Sequence, residues 1–76
     1  MVMVPANESV VIRDPEILSG EPVFRGTRVP FRALLDYLEG GETIDSFLID
    51  FPSVSRDNAI AALEEAKALL IARFAS

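Results

Sequence analysis

A chain of 76 residues, half of them hydrophobic, has material for one core and no room for two, so it reads as a single domain over residues 1–76. With no cysteine and no histidine, disulfide frameworks, thiolate metal sites and the commonest general base are excluded. Twelve acids against seven bases leave a net charge of −5, which argues against strong non-specific DNA binding, since that needs Lys and Arg to release counterions from phosphate.

A domain this small buries a modest share of its surface, so pairing as a homodimer is expected. No stretch approaches the ~20 apolar residues of a membrane span. Residues 1–5 are apolar but lack a basic lead-in and are too few for a signal peptide core, so no membrane partner and a cytoplasmic location are expected.

In chain order, four of the five prolines fall within the first 30 residues and preclude a long helix there. Ser9-Val10-Val11-Ile12-Arg13 is rich in β-branched residues and bounded by Asp14-Pro15, which predicts a short strand. Residues 15–18 suit one helical turn after an Asp14 cap, ending at Gly20. Residues 21–25 predict a second extended piece, and Gly26-Thr27 a turn in which Gly26 takes a positive φ.

From Pro30 the period changes. Pro30 suits a first helical position, and Phe31, Leu34, Leu35 and Leu38 recur at i, i+3, i+4, i+7, up to the stop at Gly40-Gly41. Thr43 caps a second helix with Asp45 in its first turn, the stripe Ile44, Phe47, Leu48 and Phe51, and Pro52 as its end. Ser55 caps a third, running to about Arg73, with the stripe Ala59, Leu63, Ala66, Leu70 and Phe74. The expected fold is α+β, mostly α: a short N-terminal β segment and turn over 9–29, then a three-helix, helix-turn-helix-like bundle over 30–76.

The chemistry-bearing candidates are few. Glu39, Glu42, Asp45 and Asp50 read as a solvated acidic surface in preference to a hard-metal site, and no phosphate-cradling glycine loop is present. No catalytic residue, metal or cofactor is expected, and the chain is read as a binding protein and not an enzyme. The segment from Gly20 to Pro30 is the densest in information. It predicts a rigid strand and turn presenting arginine forks, with Phe24, Arg25, Arg28 and Arg32 as partner or dimer contacts. The competing reading pairs those arginines with Asp14, Glu16 or Glu21 of the same chain. The second and third helices, joined across Pro52-Ser53-Val54, fit a helix-turn-helix in which Ser53, Ser55, Arg56 and Asn58 face DNA. Asn suits adenine and Arg suits guanine or a phosphate, whereas Asp57 opposes DNA. Tri-helical domains also use this geometry purely for packing.

Together Asp14-Pro15, Gly20-x-Pro22-Val23, Arg25-Gly26-Thr27-Arg28-Val29-Pro30, Gly40-Gly41 and Asp50-Phe51-Pro52 before Asp57-x-x-Ile60-x-x-Leu63 closely resemble the prokaryotic family known as domain of unknown function 433. The resemblance runs from about Val11 to Leu70. It implies a short β segment followed by a helix-turn-helix-like bundle, and an antitoxin of a toxin–antitoxin pair. Such a protein neutralises a cognate PIN-like nuclease toxin and represses the shared operon by binding operator DNA. The family often carries Lys where Glu21 stands here, and this helix pair is poor in bases; both shift the expectation from DNA toward protein. The alternative is an interaction or dimerisation module that binds no DNA.

Overall fold

The computed structural model describes residues 9–75, so the apolar residues 1–5 lie outside the described residues. Strand β1 (Val11–Ile12) pairs antiparallel with β2 (Val23–Phe24), Val11 opposite Phe24 and Ile12 opposite Val23. Beyond β2 the chain doubles back and Val23 bridges Pro30, so β2 lies between two extended pieces. The strand expected over 9–13 is shorter because its ends are used otherwise. Ser9 Oγ accepts from the Val11 N–H at 3.1 Å, and the Arg13 side chain turns to the carbonyl of Gly20 at 2.8 Å.

The helical turn expected at 15–18 is replaced by a different device. Asp14 Oδ1 accepts from the Glu16 N–H and the Asp14 carbonyl from the Ile17 N–H, both at 2.9 Å, which closes an Asx-type turn. Leu18, Ser19 and Gly20 then follow with φ of 50°, 56° and 86°, a complete left-handed turn. Each of the two non-glycine residues costs roughly 1–2 kcal/mol in that conformation. The turn is held by the Gly20 N–H to Ile17 O, the Glu21 N–H to Leu18 O, and the Arg13 side chain on Gly20 O.

The β2–α1 connection explains the Arg-Gly-Thr-Arg run. Gly26 sits at φ 78°. Thr27 donates from its N–H and its hydroxyl to Phe24 O, at 3.0 and 2.8 Å, and its Oγ1 accepts from the Val29 N–H at 3.0 Å. One threonine thereby satisfies both sides of the turn.

Helix α1 (Phe31–Glu39) begins one residue after Pro30, whose ψ of 142° is extended because Pro30 is still bridging Val23. Helix α2 (Ile44–Asp50) is capped by Thr43 Oγ1, which accepts from the Ser46 N–H at 3.0 Å. Helix α3 (Arg56–Phe74) is capped by Ser55 Oγ, which accepts from the Asn58 N–H at 3.0 Å. Both caps match the sequence expectation. The core gathers Phe24, Leu34, Phe47, Val54, Ala59 and Ala62. Its aromatic spine runs Phe31–Phe24–Phe47, with centroids 6.1 Å apart at each step, and on to Tyr37 and Phe51. Of the six aromatic residues, only Phe74 lies outside it.

Nothing lies within 4 Å of where a Cβ would stand at Gly26, so a substitution there meets only the backbone penalty. G26A is expected to lower the unfolding free energy by about 1–2 kcal/mol in urea titrations, and G26N by less, since Asn tolerates left-handed φ. Equal stability of G26A and the parent chain would remove the turn from the account of this motif.

Candidate functional site

Three surfaces carry the candidate residues. The first is the β2–α1 turn. Phe24, expected at a partner surface, is instead fully buried against Phe31 and Phe47 and belongs to the core. Both residues of β2 are buried, so the ring has no outward face. The arginines beside it part company. Arg25 Nε donates to the Ser9 carbonyl at 3.0 Å while its N–H bonds Val10 O at 2.7 Å, so this residue ties the first described segment to the turn. Arg32 Nε lies 3.8 Å from Glu21 Oε2, a partner foreseen for the turn's arginines within the chain. Arg32 is exposed and Glu21 half-buried, and a pair this long contributes little. Arg28 is exposed and has no ion pair or side-chain hydrogen bond among the described residues.

The second surface is the start of α3. Ser53, Ser55 and Arg56 are exposed and Asn58 half-buried, all in the α2–α3 connection and the first turn of α3. Their chemistry is less favourable than their placement. Ser55 Oγ is occupied as the cap, Arg56 pairs with Asp45 of α2, and Asp57 occupies the first turn. Acids thus outnumber bases where phosphates would lie, and Arg56 must leave Asp45 before it meets DNA.

Beside this pair, Asp36, Tyr37, Gly40, Glu42 and Asp50 line an acidic hollow. The Tyr37 hydroxyl donates to Asp50 Oδ2 at 2.5 Å. That bond, then partial desolvation, then the charges of Asp50 and Glu42, raise the phenol above its usual 10.0. Among the described residues no group of three or more Asp or Glu is placed to hold a metal ion.

The third surface was misread in the sequence. Leu70 and Phe74 were expected to continue the core stripe of α3, yet only Ala59 and Ala62 of that helix are buried. Leu69, Leu70, Ile71 and Phe74 are exposed at 68, 59, 61 and 77%. The signal was available in the run Ala68-Leu69-Leu70-Ile71-Ala72, because consecutive apolar residues point all round a helix and one face cannot cover them. No helix of the described residues is long and apolar enough to cross a membrane.

Because the folded state holds the Tyr37 proton more tightly than the unfolded chain, this bond stabilises the fold below about pH 10 and its contribution is lost as pH rises through the raised value. D50N is expected to move the midpoint of phenolate formation, followed by ultraviolet absorbance, down toward 10.0. An unmoved midpoint would mean that the bond does not hold the proton in solution.

With this geometry in view, the family model described as "Protein of unknown function (DUF433)" matches residues 11–66. Among solved structures, the crystal structure of a DUF433 member protein from Anabaena variabilis ATCC 29413 is similar, with a TM-score of 0.70 and 21% sequence identity. The similarity covers 82% of this chain and 61% of that one, so this chain spans less than two thirds of that protein's length. At such identity it speaks for the fold alone. No curated protein matches the chain. The family model covers most of the chain, the two-stranded segment and all but the last turns of α3 included, and the chain belongs to the DUF433 family.

Proposed function

We propose that this chain is an antitoxin-like protein of the cytoplasm that acts as a homodimer, holds a cognate PIN-like nuclease toxin, and takes operator DNA only as a weaker, second ligand. The observation that carries the protein-binding half is the C-terminal part of α3. A helix apolar round its circumference is normally buried, yet Leu69, Leu70, Ile71 and Phe74 are all more than half exposed. A helix of this kind is completed by another polypeptide. The net charge of −5 supports the same reading, since an acidic binder is steered toward a basic nuclease. The pairing of Arg56 with Asp45, and Asp57 beside it, weigh against DNA as the principal ligand.

Two measurements test this. Titrated into a PIN-like nuclease encoded beside its gene, the chain is expected to abolish ribonuclease activity near equimolar ratio and to co-elute with the enzyme. Full activity at excess chain overturns the antitoxin reading. In fluorescence anisotropy, DNA from upstream of its own gene is expected to bind weakly, at low salt only, and more tightly in the toxin's presence. The double variant R56A/N58A is expected to remove that binding without altering nuclease inhibition. If the double variant binds this DNA as well as the parent, the start of α3 is not the DNA surface.

A further inference from the structure

The stripe of α3 that faces the core does not stop where the core stops. Ala59, Ala62 and Ala66 lie against the body at i, i+3, i+7, and the same face continues through Leu69, Leu70, Arg73 and Phe74, where these large side chains stay exposed among the described residues. Beside it runs a shallow apolar groove lined by Val11, Phe31, Ala62, Glu65, Ala66 and Leu69. We propose that this surface is the contact between two copies of the chain. The end of α3 from each copy lies antiparallel on that of the other, crossing at Leu69, with each Phe74 against the groove of its partner.

Charge sets the orientation. After Glu65 the helix carries no acid and two bases, Lys67 and Arg73, while Glu64 and Glu65 stand at the near end of the exposed stretch. Antiparallel pairing about Leu69 brings Arg73, four residues after the crossing, to Glu65, four residues before it, and does so twice. Parallel pairing sets acid beside acid and base beside base. Glu65 accepts from Ser9 Oγ at 2.7 and 2.9 Å and still has lone pairs for an arginine fork.

Area sets the strength. At roughly 200 Å² per large side chain, the exposed parts of Leu69, Leu70 and Phe74 amount to about 400 Å² per copy, hence about 800 Å² for the pair. The shallow groove adds little to this, so the contact stays just under the ~1,000 Å² at which specific interfaces begin. The contact is therefore a weak, reversible dimer whose population depends on concentration. Ile60 and Ile71 lie on the opposite face of α3 and stay uncovered for a further partner.

This contact rests on the homodimer reading but not on toxin or DNA binding. Sedimentation of the full chain is expected to show concentration-dependent dimers, and F74E to weaken association at least about tenfold. The fold of F74E is expected to survive, because Phe74 has no place in the core. The absence of cysteine allows a geometric check. Under mild oxidation L69C is expected to cross-link rapidly and I71C slowly, since only position 69 lies at the crossing. A chain monomeric at every concentration overturns the proposal, as does a dimer indifferent to F74E or equal cross-linking at the two positions. Each of these three results leaves nuclease inhibition to be judged on its own assay, and a failure of that inhibition leaves this contact standing.

Discussion

The ring of Phe24 against the ring of Phe47 joins the two halves of the molecule. A two-stranded antiparallel piece with four residues in ladder is too small to stand in water, and α2 has only seven residues. Each becomes stable by packing on the other, and the 6.1 Å contact between these two fully buried side chains is where they meet. The rest is arranged around it. Phe31 locks the entry to α1 on one side, Tyr37 and Phe51 extend the spine on the other, and Thr27 closes the turn that aims Phe24 inward. The Gly-Thr pair and the aromatic spine are thus parts of one device, a stiff hairpin whose Phe24 ring is its fully buried anchor on the helices.

Much of this is legible in the sequence, and the reasons are local. Helix ends depend on residues at the ends themselves, so Thr43, Ser55, Gly40 and Pro52 marked α1, α2 and α3 to within a residue or so. The positive φ of Gly26 followed equally from its own chemistry. What escaped depends on distant parts of the chain. Phe24 looked like an interface anchor because it stands among the arginines of the Gly20–Pro30 segment, whereas β2 hides Val23 and Phe24 alike. Arg56 looked available because its neighbours in sequence are not its neighbours in space; Asp45 reaches it from eleven residues away. Leu70 and Phe74 fitted the α3 periodicity, but periodicity says which way a side chain points and nothing of whether the body extends that far.

The division of surfaces follows from the same geometry. The bases of the turn are engaged one by one: Arg25 holds the first described segment and Arg32 leans on Glu21, leaving Arg28. The start of α3 keeps its helix-turn-helix placement but balances its base with nearby acids. The end of α3 carries four of the seven exposed large hydrophobic side chains among the described residues. Family membership and fold are compatible with either ligand, because a helix pair becomes a DNA reader only through the side chains it presents.

The left-handed turn at Leu18 and Ser19 has a consequence for which substitutions the chain can absorb. Both side chains are exposed, and by burial alone the two positions look as permissive as any on the surface. Their backbone makes them selective instead. Gly, Asn or Asp would relax the turn, while Val, Ile or Thr would crowd a conformation that already strains an L-residue. Sequence drift at these sites is therefore governed by torsion and not by solvent. Tolerance mapped from accessibility alone would miss this torsional selection at two exposed positions.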